Sequence, residues 1–136
     1  MNSTMRILLL EDDLVEMMTV RRALRDLNIK NPLDVCGDGE EGLEYLRSHT
    51  SDLPGVILLD INMPKMNGIE FLRIIKQDSL LRRIPVVVLT TSRHDEDRLA
   101  SFDLSAAGYM IKPVGYQNFV ETMRTIQVYW TLSEVA

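Results

Sequence analysis

The sequence predicts an α/β protein built on a five-stranded parallel sheet, and three observations support this fold class. Five short apolar runs are spaced along the 136 residues, and segments with helical periodicity separate them. The runs are apolar at consecutive positions, which is typical of parallel strands buried on both faces. Four of the runs end directly in polar residues, at the sheet edge where open α/β proteins place their sites.

The first half of the chain supplies two strands and two helices. Residues 5–10 form a buried-strand run, and a helix follows whose inner face carries Met17, Val20, Leu24 and Leu27 at spacings of three and four. Asn31 and Pro32 then turn the chain into a short second strand, 33–36. The second helix begins at 38 or 39 and ends near 48, with Leu43 and Leu46 directed inward.

The third strand organises the rest of the chain. Four apolar residues, 56–59, run straight into Asp60, and a proline and a glycine follow within eight residues. Pro64 stops sheet pairing, and Gly68 permits backbone angles that other residues avoid. A carboxylate at the end of a buried strand is costly to bury, so Asp60 needs a counter-charge or a metal ion.

The second half continues the same alternation. Helix three runs from its cap at Asn67 to about Gln77, strand four covers 86–89, and helix four begins near Asp95 with weak periodicity. Strand five covers 108–111. Helix five begins near Tyr116, and its inner face carries Phe119, Val120, Met123 and Ile126. Five strands alternating with five helices predict the doubly wound, flavodoxin-like (βα)5 class, with strand order 2-1-3-4-5.

Composition limits the function. The net charge of −5, without a dense run of Lys and Arg, argues against a nucleic-acid partner. No apolar run approaches the roughly 18 residues that span a membrane, no signal peptide precedes Met5, and the single Cys36 fits a reducing compartment. We expect a soluble, cytoplasmic protein with one domain over 1–136, whose core covers about 5–127 and whose C-terminal extension is 128–136.

The strand ends bring chemistry to one edge of the predicted sheet. Polar residues end strands one, three, four and five, and they are Glu11, Asp12, Asp60, Thr90 and Lys112, with Asp13 as a further candidate. Carboxylates this close repel one another, and without a partner one of them is pushed towards its protonated form. A hard divalent cation such as Mg²⁺ or the ammonium of Lys112 would relieve the repulsion. We expect Asp60 to be the only carboxylate placed opposite Lys112.

In these motifs the chain resembles the receiver domain of two-component response regulators. The resemblance extends from Ile7 to helix five, and it rests on the segments Leu8–Asp13, Leu58–Pro64 with Asn67 and Gly68, Pro85–Thr90 and Gly108–Pro113. Each motif is weak alone, but their joint placement at consecutive strand ends is specific.

The resemblance implies a role for each site residue. Asp60 would be the phosphoacceptor and a metal ligand, Asp12 would bind Mg²⁺ directly, and Glu11 would act through the metal or its waters. The main-chain carbonyl of Asn62 would complete the protein ligands, and Asp13 is left as a neighbour.

The same resemblance implies a switch. Thr90 and Lys112 would contact the phosphoryl oxygens, and Tyr109 would be the aromatic residue whose rotamer follows activation. Phosphorylation would draw the Thr90 hydroxyl towards a phosphoryl oxygen and free space for Tyr109. We also expect a cis peptide bond between Lys112 and Pro113, because an X-Pro bond in a tight turn is where cis bonds occur.

Some features differ from the commonest receiver pattern. Thr91 stands where a smaller residue is usual, and Ser92 offers no carboxylate or amide to orient a hydrolytic water. The connection 49–54 is longer than in the shortest receivers, and the chain end carries Tyr129 and Trp130. The last two features resemble the single-domain regulators that partner bacterial phytochrome-type histidine kinases.

The predicted function is that of a stand-alone, single-domain response regulator. It would be phosphorylated by a sensor histidine kinase and would switch protein contacts through helix four, strand five and helix five. Its catalysis would be limited to its own phosphoryl transfer and slow autodephosphorylation. Alternatives are an intermediate phosphorelay protein, a phosphorylation-independent adaptor, and a Mg²⁺-dependent phosphohydrolase of the haloacid dehalogenase type. The hydrolase is disfavoured because such enzymes carry Asp-x-Asp after the first strand.

The last expectation concerns assembly. Val128, Tyr129, Trp130, Leu132 and Val135 continue the apolar character of helix five beyond the residues that the core needs. A tail folded back on the domain is one interpretation. Because aromatic residues on more than one helical face are typical of interfaces, we expect a homodimer formed by helix five and this extension.

Overall fold

The computed structural model describes residues 5–91 and 94–133, and their side chains except those of 95 and 128–133. The five strands are β1 (Ile7–Leu10), β2 (Leu33–Cys36), β3 (Val56–Leu59), β4 (Val86–Thr90) and β5 (Gly108–Ile111). They form one parallel sheet in the order β2-β1-β3-β4-β5. The predicted fold class and strand order are confirmed.

Five helices connect the strands and cover both faces of the sheet. They are α1 (Leu14–Asp26), α2 (Gly39–Ser48), α3 (Gly68–Lys76), α4 (Asp95–Asp103) and α5 (Tyr116–Ser133), with a short 3-10 helix at Leu81–Arg83. Alternate strand residues point to opposite faces, so Leu8 and Leu10 join the core under α2 and α3. Ile7 and Leu9 join the core under α1 and α5.

Side-chain caps begin three of the helices near the carboxyl edge of the sheet. Asp13 accepts hydrogen bonds from the amides of Val15 and Glu16, and Asp38 accepts one from Glu41. Asn67 forms a capping box with the third helical residue, as predicted for the start of α3. These caps fix where each helix leaves the strand ends, and therefore how its first turn faces the site.

Helix α4 has weak hydrophobic periodicity in the sequence because it buries few apolar side chains. Leu99 and Phe102 are 59% and 52% exposed, so the apolar residues of this helix face largely away from the sheet. Ser101 is fully buried instead, and its hydroxyl donates to the carbonyl of Asp97 four residues earlier. A surface helix with so little buried apolar area has a weak sequence signal.

The peptide bond between Lys112 and Pro113 differs from the prediction. The predicted cis bond at Lys112–Pro113 is wrong, since no peptide bond within the described ranges is cis. The Lys112 amide donates to the Thr90 carbonyl at 2.8 Å, so Lys112 continues the pairing of β5 with β4. Its long side chain therefore reaches the site without a reversal of the chain.

The dimer contact predicted for the C-terminal extension, 128–136, lies outside the described side chains and stays a prediction. Within the described chain no helix is both long enough and apolar enough to cross a membrane.

Candidate functional site

Strand register brings the polar strand ends together. Leu10 of β1 pairs with Leu59 of β3, so the residues that follow them, Glu11 and Asp60, lie side by side. Both are buried, at 2% and 7% exposure. One oxygen each of Glu11, Asp12 and Asp60 lies within 4.8 Å of the others, and Asp12 is exposed. The predicted acidic cluster is therefore assembled at the carboxyl edge of the sheet.

Asp60 is held by donors from two directions. Its Oδ1 accepts a hydrogen bond of 2.8 Å from the hydroxyl of Thr90, which is fully buried on the neighbouring strand. The same oxygen accepts a longer bond, 3.3 Å, from the main-chain amide of Asn62. Two donors on one oxygen fix the orientation of the carboxylate and direct its other oxygen, Oδ2, towards Lys112.

Lys112 contacts three carboxylates. Its Nζ lies 2.5 Å from Glu11, 3.3 Å from Glu16 and 3.8 Å from Asp60. The expectation that Asp60 alone would face Lys112 is wrong. Glu11 lies beside Asp60 on the neighbouring strand end, and the Lys112 side chain reaches across to it. Glu16 lies in the first turn of α1, which begins shortly after the end of β1. The Lys112 side chain is only 7% exposed, so these contacts are shielded from solvent.

Burial and charge act against each other in this group. Burial raises the pKa of Glu11 to about 7, and the charge of Asp60 acts in the same direction, whereas the Lys112 ammonium opposes both. Burial by itself would lower the pKa of Lys112, but the hydrogen bond to Glu11 and the charge of Asp60 raise it overall. The lysine is therefore a cation at neutral pH, and the crowding of charge is relieved at Glu11.

The two predicted switch residues lie on adjacent strands. Tyr109 of β5 pairs in register with Val88 of β4 and packs, partly buried, against the core under α2 and α3. Thr90 donates to Oδ1 of Asp60, so its hydroxyl already lies at the site before phosphorylation. Its movement towards a phosphoryl oxygen stays a prediction.

The cluster fits a divalent cation. Three carboxylates that converge at one point, two of them buried, carry more negative charge than the single ammonium of Lys112 neutralises. Hard cations such as Mg²⁺ prefer oxygen ligands of this kind. Glu11, Asp12 and Asp60 can contribute carboxylate oxygens. Asn62 lies two residues after Asp60, and its main-chain carbonyl stays a predicted ligand beside Asp12 and Asp60.

Sequence reasoning missed Glu16. It is the acidic residue in the first turn of α1, three residues after the Asp13 cap, and this position beside the strand end could have identified it. Asp13, a neighbour of the predicted site, is the cap that sets the first turn of α1 and with it the position of Glu16. Of the two departures next to Thr90, Thr91 is exposed, and Ser92 lies outside the described residues.

Known proteins share this arrangement of sequence and fold. The family model for the response regulator receiver domain matches residues 7–124. The probable methanogenesis regulatory protein FilR2 of Methanothrix harundinacea is 39% identical over 127 residues, covering 91% of this chain and 82% of that protein. The response regulator Rcp1 of Synechocystis sp. is 36% identical over 128 residues, covering 91% of this chain and 87% of Rcp1.

Solved structures show the same similarity. The phosphorylated cyanobacterial phytochrome response regulator RcpA has a TM-score of 0.88 and 34% identity, over 98% of this chain and 97% of its own. The Mn²⁺-bound form of Rcp1 has a TM-score of 0.83 and 35% identity, over 93% of this chain and 94% of its own.

Proposed function

Because the chain belongs to the response regulator receiver domain family, we propose that it is a signalling switch phosphorylated on Asp60 by a sensor histidine kinase. The observation that carries the proposal is the setting of Asp60. This buried carboxylate has a hydroxyl donor on one oxygen and an ammonium 3.8 Å from the other, within an acidic cluster that fits a metal ion.

The residues of the site suit in-line phosphoryl transfer. Asp60 Oδ2 is the nucleophile: a bond forms from this oxygen to phosphorus while the phosphorus–nitrogen bond of the phosphohistidine breaks, and the electron pair returns to the imidazole. Thr90 and Lys112 donate to the phosphoryl oxygens, where negative charge accumulates. The product is an acyl phosphate, a known form of covalent catalysis by carboxylates. The chain's catalysis ends with this transfer and a slow autodephosphorylation.

Asp12, Asp60 and the Asn62 carbonyl would hold Mg²⁺, with Glu11 acting through water. Once bound, the ion would neutralise charge on the phosphoryl group and on the carboxylates. Two observations support this assignment: the convergence of Glu11, Asp12 and Asp60, and the Mn²⁺-bound structure of the similar regulator Rcp1.

The proposed partner is a phytochrome-type kinase. RcpA is described as a phytochrome response regulator, and it is similar to this chain over nearly the whole of both proteins. The long connection between α2 and β3 and the aromatic residues Tyr129 and Trp130 favour the same subgroup.

The output is proposed to pass through the surface formed by α4, β5 and α5. Phosphorylation adds roughly −1.5 to −2 of charge and three acceptor oxygens at Asp60. Thr90 and Tyr109 lie on β4 and β5, so a change at Asp60 reaches this surface through two adjacent strands. Leu99, Phe102 and Val114 are exposed there and offer apolar area for a partner or a second copy of the chain. The effect would be a shift between two existing arrangements of the surface.

The test is intact-mass measurement after incubation with acetyl phosphate and Mg²⁺. We expect one phosphate adduct on the wild-type chain and none on Asp60→Asn, because an amide cannot form an acyl phosphate. The Asn variant should remain folded, and removing a charge from the crowded cluster should leave its stability equal or slightly higher. A phosphate that persists on the variant would contradict the assignment of Asp60. Failure of the wild type to accept phosphate would favour an adaptor, and turnover of many phosphoesters would favour a hydrolase.

A further inference from the structure

We propose that Glu16 is a positioning residue that competes with the phosphoryl group for the Lys112 ammonium and so limits the rate of phosphorylation. The proposal rests on the proposed function of Asp60. Glu16 lies on α1, outside the acidic cluster and outside the set of residues that the sequence motifs identified. Its carboxylate nevertheless lies closer to the Lys112 Nζ, at 3.3 Å, than Asp60 does, at 3.8 Å.

The competition follows from the charges around Lys112. Its Nζ donates a hydrogen bond to Glu11, and Glu16 and Asp60 approach it as ion pairs, at 3.3 and 3.8 Å. One positive charge is therefore shared among three carboxylates. A phosphoryl group on Asp60 brings further negative oxygens to the same cation, so the ion pair with Glu16 weakens the attraction of Lys112 for them.

Glu16 is the partner that can be released at least cost. Its side chain is 35% exposed, whereas that of Glu11 is 2% exposed. A buried carboxylate that loses its cation keeps an uncompensated charge, which is strongly unfavourable. A released Glu16 carboxylate turns to water instead. Of the two carboxylates that compete with Asp60, Glu16 is therefore the exchangeable one.

The fold keeps Glu16 within reach of Lys112. The Asp13 cap accepts a hydrogen bond from the Glu16 amide, which fixes the first turn of α1. Further along, the Tyr116 hydroxyl donates to Asp26 at 2.6 Å, and the Arg22 guanidinium stacks 4.0 Å from the Tyr116 ring centre. These contacts tie α1 to the start of α5, four residues beyond Lys112. The helix that carries Glu16 is thus anchored at its start by the Asp13 cap and further along by the start of α5.

The negative charge of Glu16 should slow phosphorylation, as its ion pair with Lys112 does. A phosphodonor is an anion, and Glu16 places a partly exposed negative charge beside the lysine that must receive it. Removing this charge should both free the ammonium and reduce repulsion. A partly exposed ion pair is worth little, so we expect phosphorylation to become about two- to fivefold faster.

The experiment compares Glu16→Gln with a matched control, Glu44→Gln. Glu44 is exposed on α2, across the sheet from α1, and its substitution changes the net charge by the same amount. Phosphorylation by acetyl phosphate at saturating Mg²⁺ is followed by intact mass. Glu16→Asp is the conservative variant: it keeps the charge but withdraws the carboxylate by one methylene. Unfolding temperatures verify that all variants are folded.

We expect Glu16→Gln to react faster than the wild type, Glu16→Asp to lie between the two, and Glu44→Gln to match the wild type. A loss of structure would slow the reaction, so a faster rate identifies a positioning role. Nuclear magnetic resonance of the Lys112 ammonium should also show faster hydrogen exchange in Glu16→Gln. Equal rates for Glu16→Gln and Glu44→Gln would overturn the proposal, and so would a Glu16→Asp rate equal to the wild type. A wild-type chain that accepts no phosphate would instead overturn the proposed function.

Discussion

Glu11 is only 2% exposed, and three influences act on the charge of its carboxylate. Lys112 stabilises its charge, Asp60 opposes it, and burial opposes it most strongly. The folded-state pKa of about 7 lies above the ordinary value of 4.5, so between these pH values the folded chain holds a proton that the unfolded chain has lost. In the metal-free protein, the stability contributed by protonated Glu11 is fully present below pH 4.5 and is lost as the pH rises through 7.

Mg²⁺ binding should therefore depend on pH near neutrality. The ion favours the charged form of Glu11, so lowering the pH from 8 to 6 should weaken binding, by up to about tenfold per pH unit below the pKa. Titration calorimetry in buffers of different ionisation heat should detect the released proton. In Glu11→Gln, which cannot titrate, Mg²⁺ binding should be weaker and nearly flat over this range. A wild-type affinity that is equal at pH 6 and pH 8 would contradict the prediction.

At the scale of elements, the start of α3 is packed directly against the backbone that carries Asp60. A Cβ placed on Gly68 would lie 2.5 Å from the Asp60 carbonyl oxygen and 2.8 Å from the Ile61 Cα. The Gly68 amide donates to the Ile61 carbonyl at 2.9 Å, which fixes this close approach. Glycine is needed here for space, because any side chain would separate helix and loop.

Gly68→Ala should therefore disturb both stability and the site. Overlap with backbone atoms cannot be relieved by a rotamer change, so we expect a loss of about 1–3 kcal/mol in the free energy of unfolding, measured in urea. The displaced loop should also slow phosphorylation of Asp60. Gly108→Ala is the matched control: its Cβ would meet only Val87, at 3.7 Å, an ordinary contact. Equal free energies of unfolding for the two variants would contradict the prediction, since the loop after Asp60 would then accommodate the added methyl group at no cost.

The elements differ in how well the sequence predicts them. Strands β1, β3 and β4 are buried throughout, so each is a continuous apolar run that composition alone identifies. Their polar ends follow from the runs, which is why Glu11, Asp60 and Thr90 could be placed at one edge. The three-carboxylate environment of Lys112 could not be predicted, because it depends on how the first turn of α1 leaves β1. That angle is set by the Asp13 cap and by packing, and the strand motifs do not contain it.

At the scale of the whole molecule, exposed apolar residues gather on two sides. Leu99, Phe102 and Val114 border β5, the edge strand of the sheet, and are 52% to 91% exposed. Leu14, Val15 and Met18 form a second group on α1, at 60% to 69% exposure. In the first group, Val114 lies two residues before α5, the helix that continues into the apolar extension expected to form the dimer. In the second group, Val15 and Met18 line a groove with Tyr116, at the start of α5 and away from the extension.

Truncation after Gln127 tests this assembly. Phe119, Val120, Met123 and Ile126 already bury the inner face of α5, so the shortened chain should remain folded and accept phosphate at Asp60. It should be monomeric, because the aromatic residues of the extension are lost. Met18→Ser, which alters the α1 group instead, is the control and should remain a dimer. Light scattering at tens of micromolar would measure both variants beside the full chain. A full-length protein that is monomeric with and without phosphate would rule out the dimer, and a dimeric truncated chain would move the interface away from the extension.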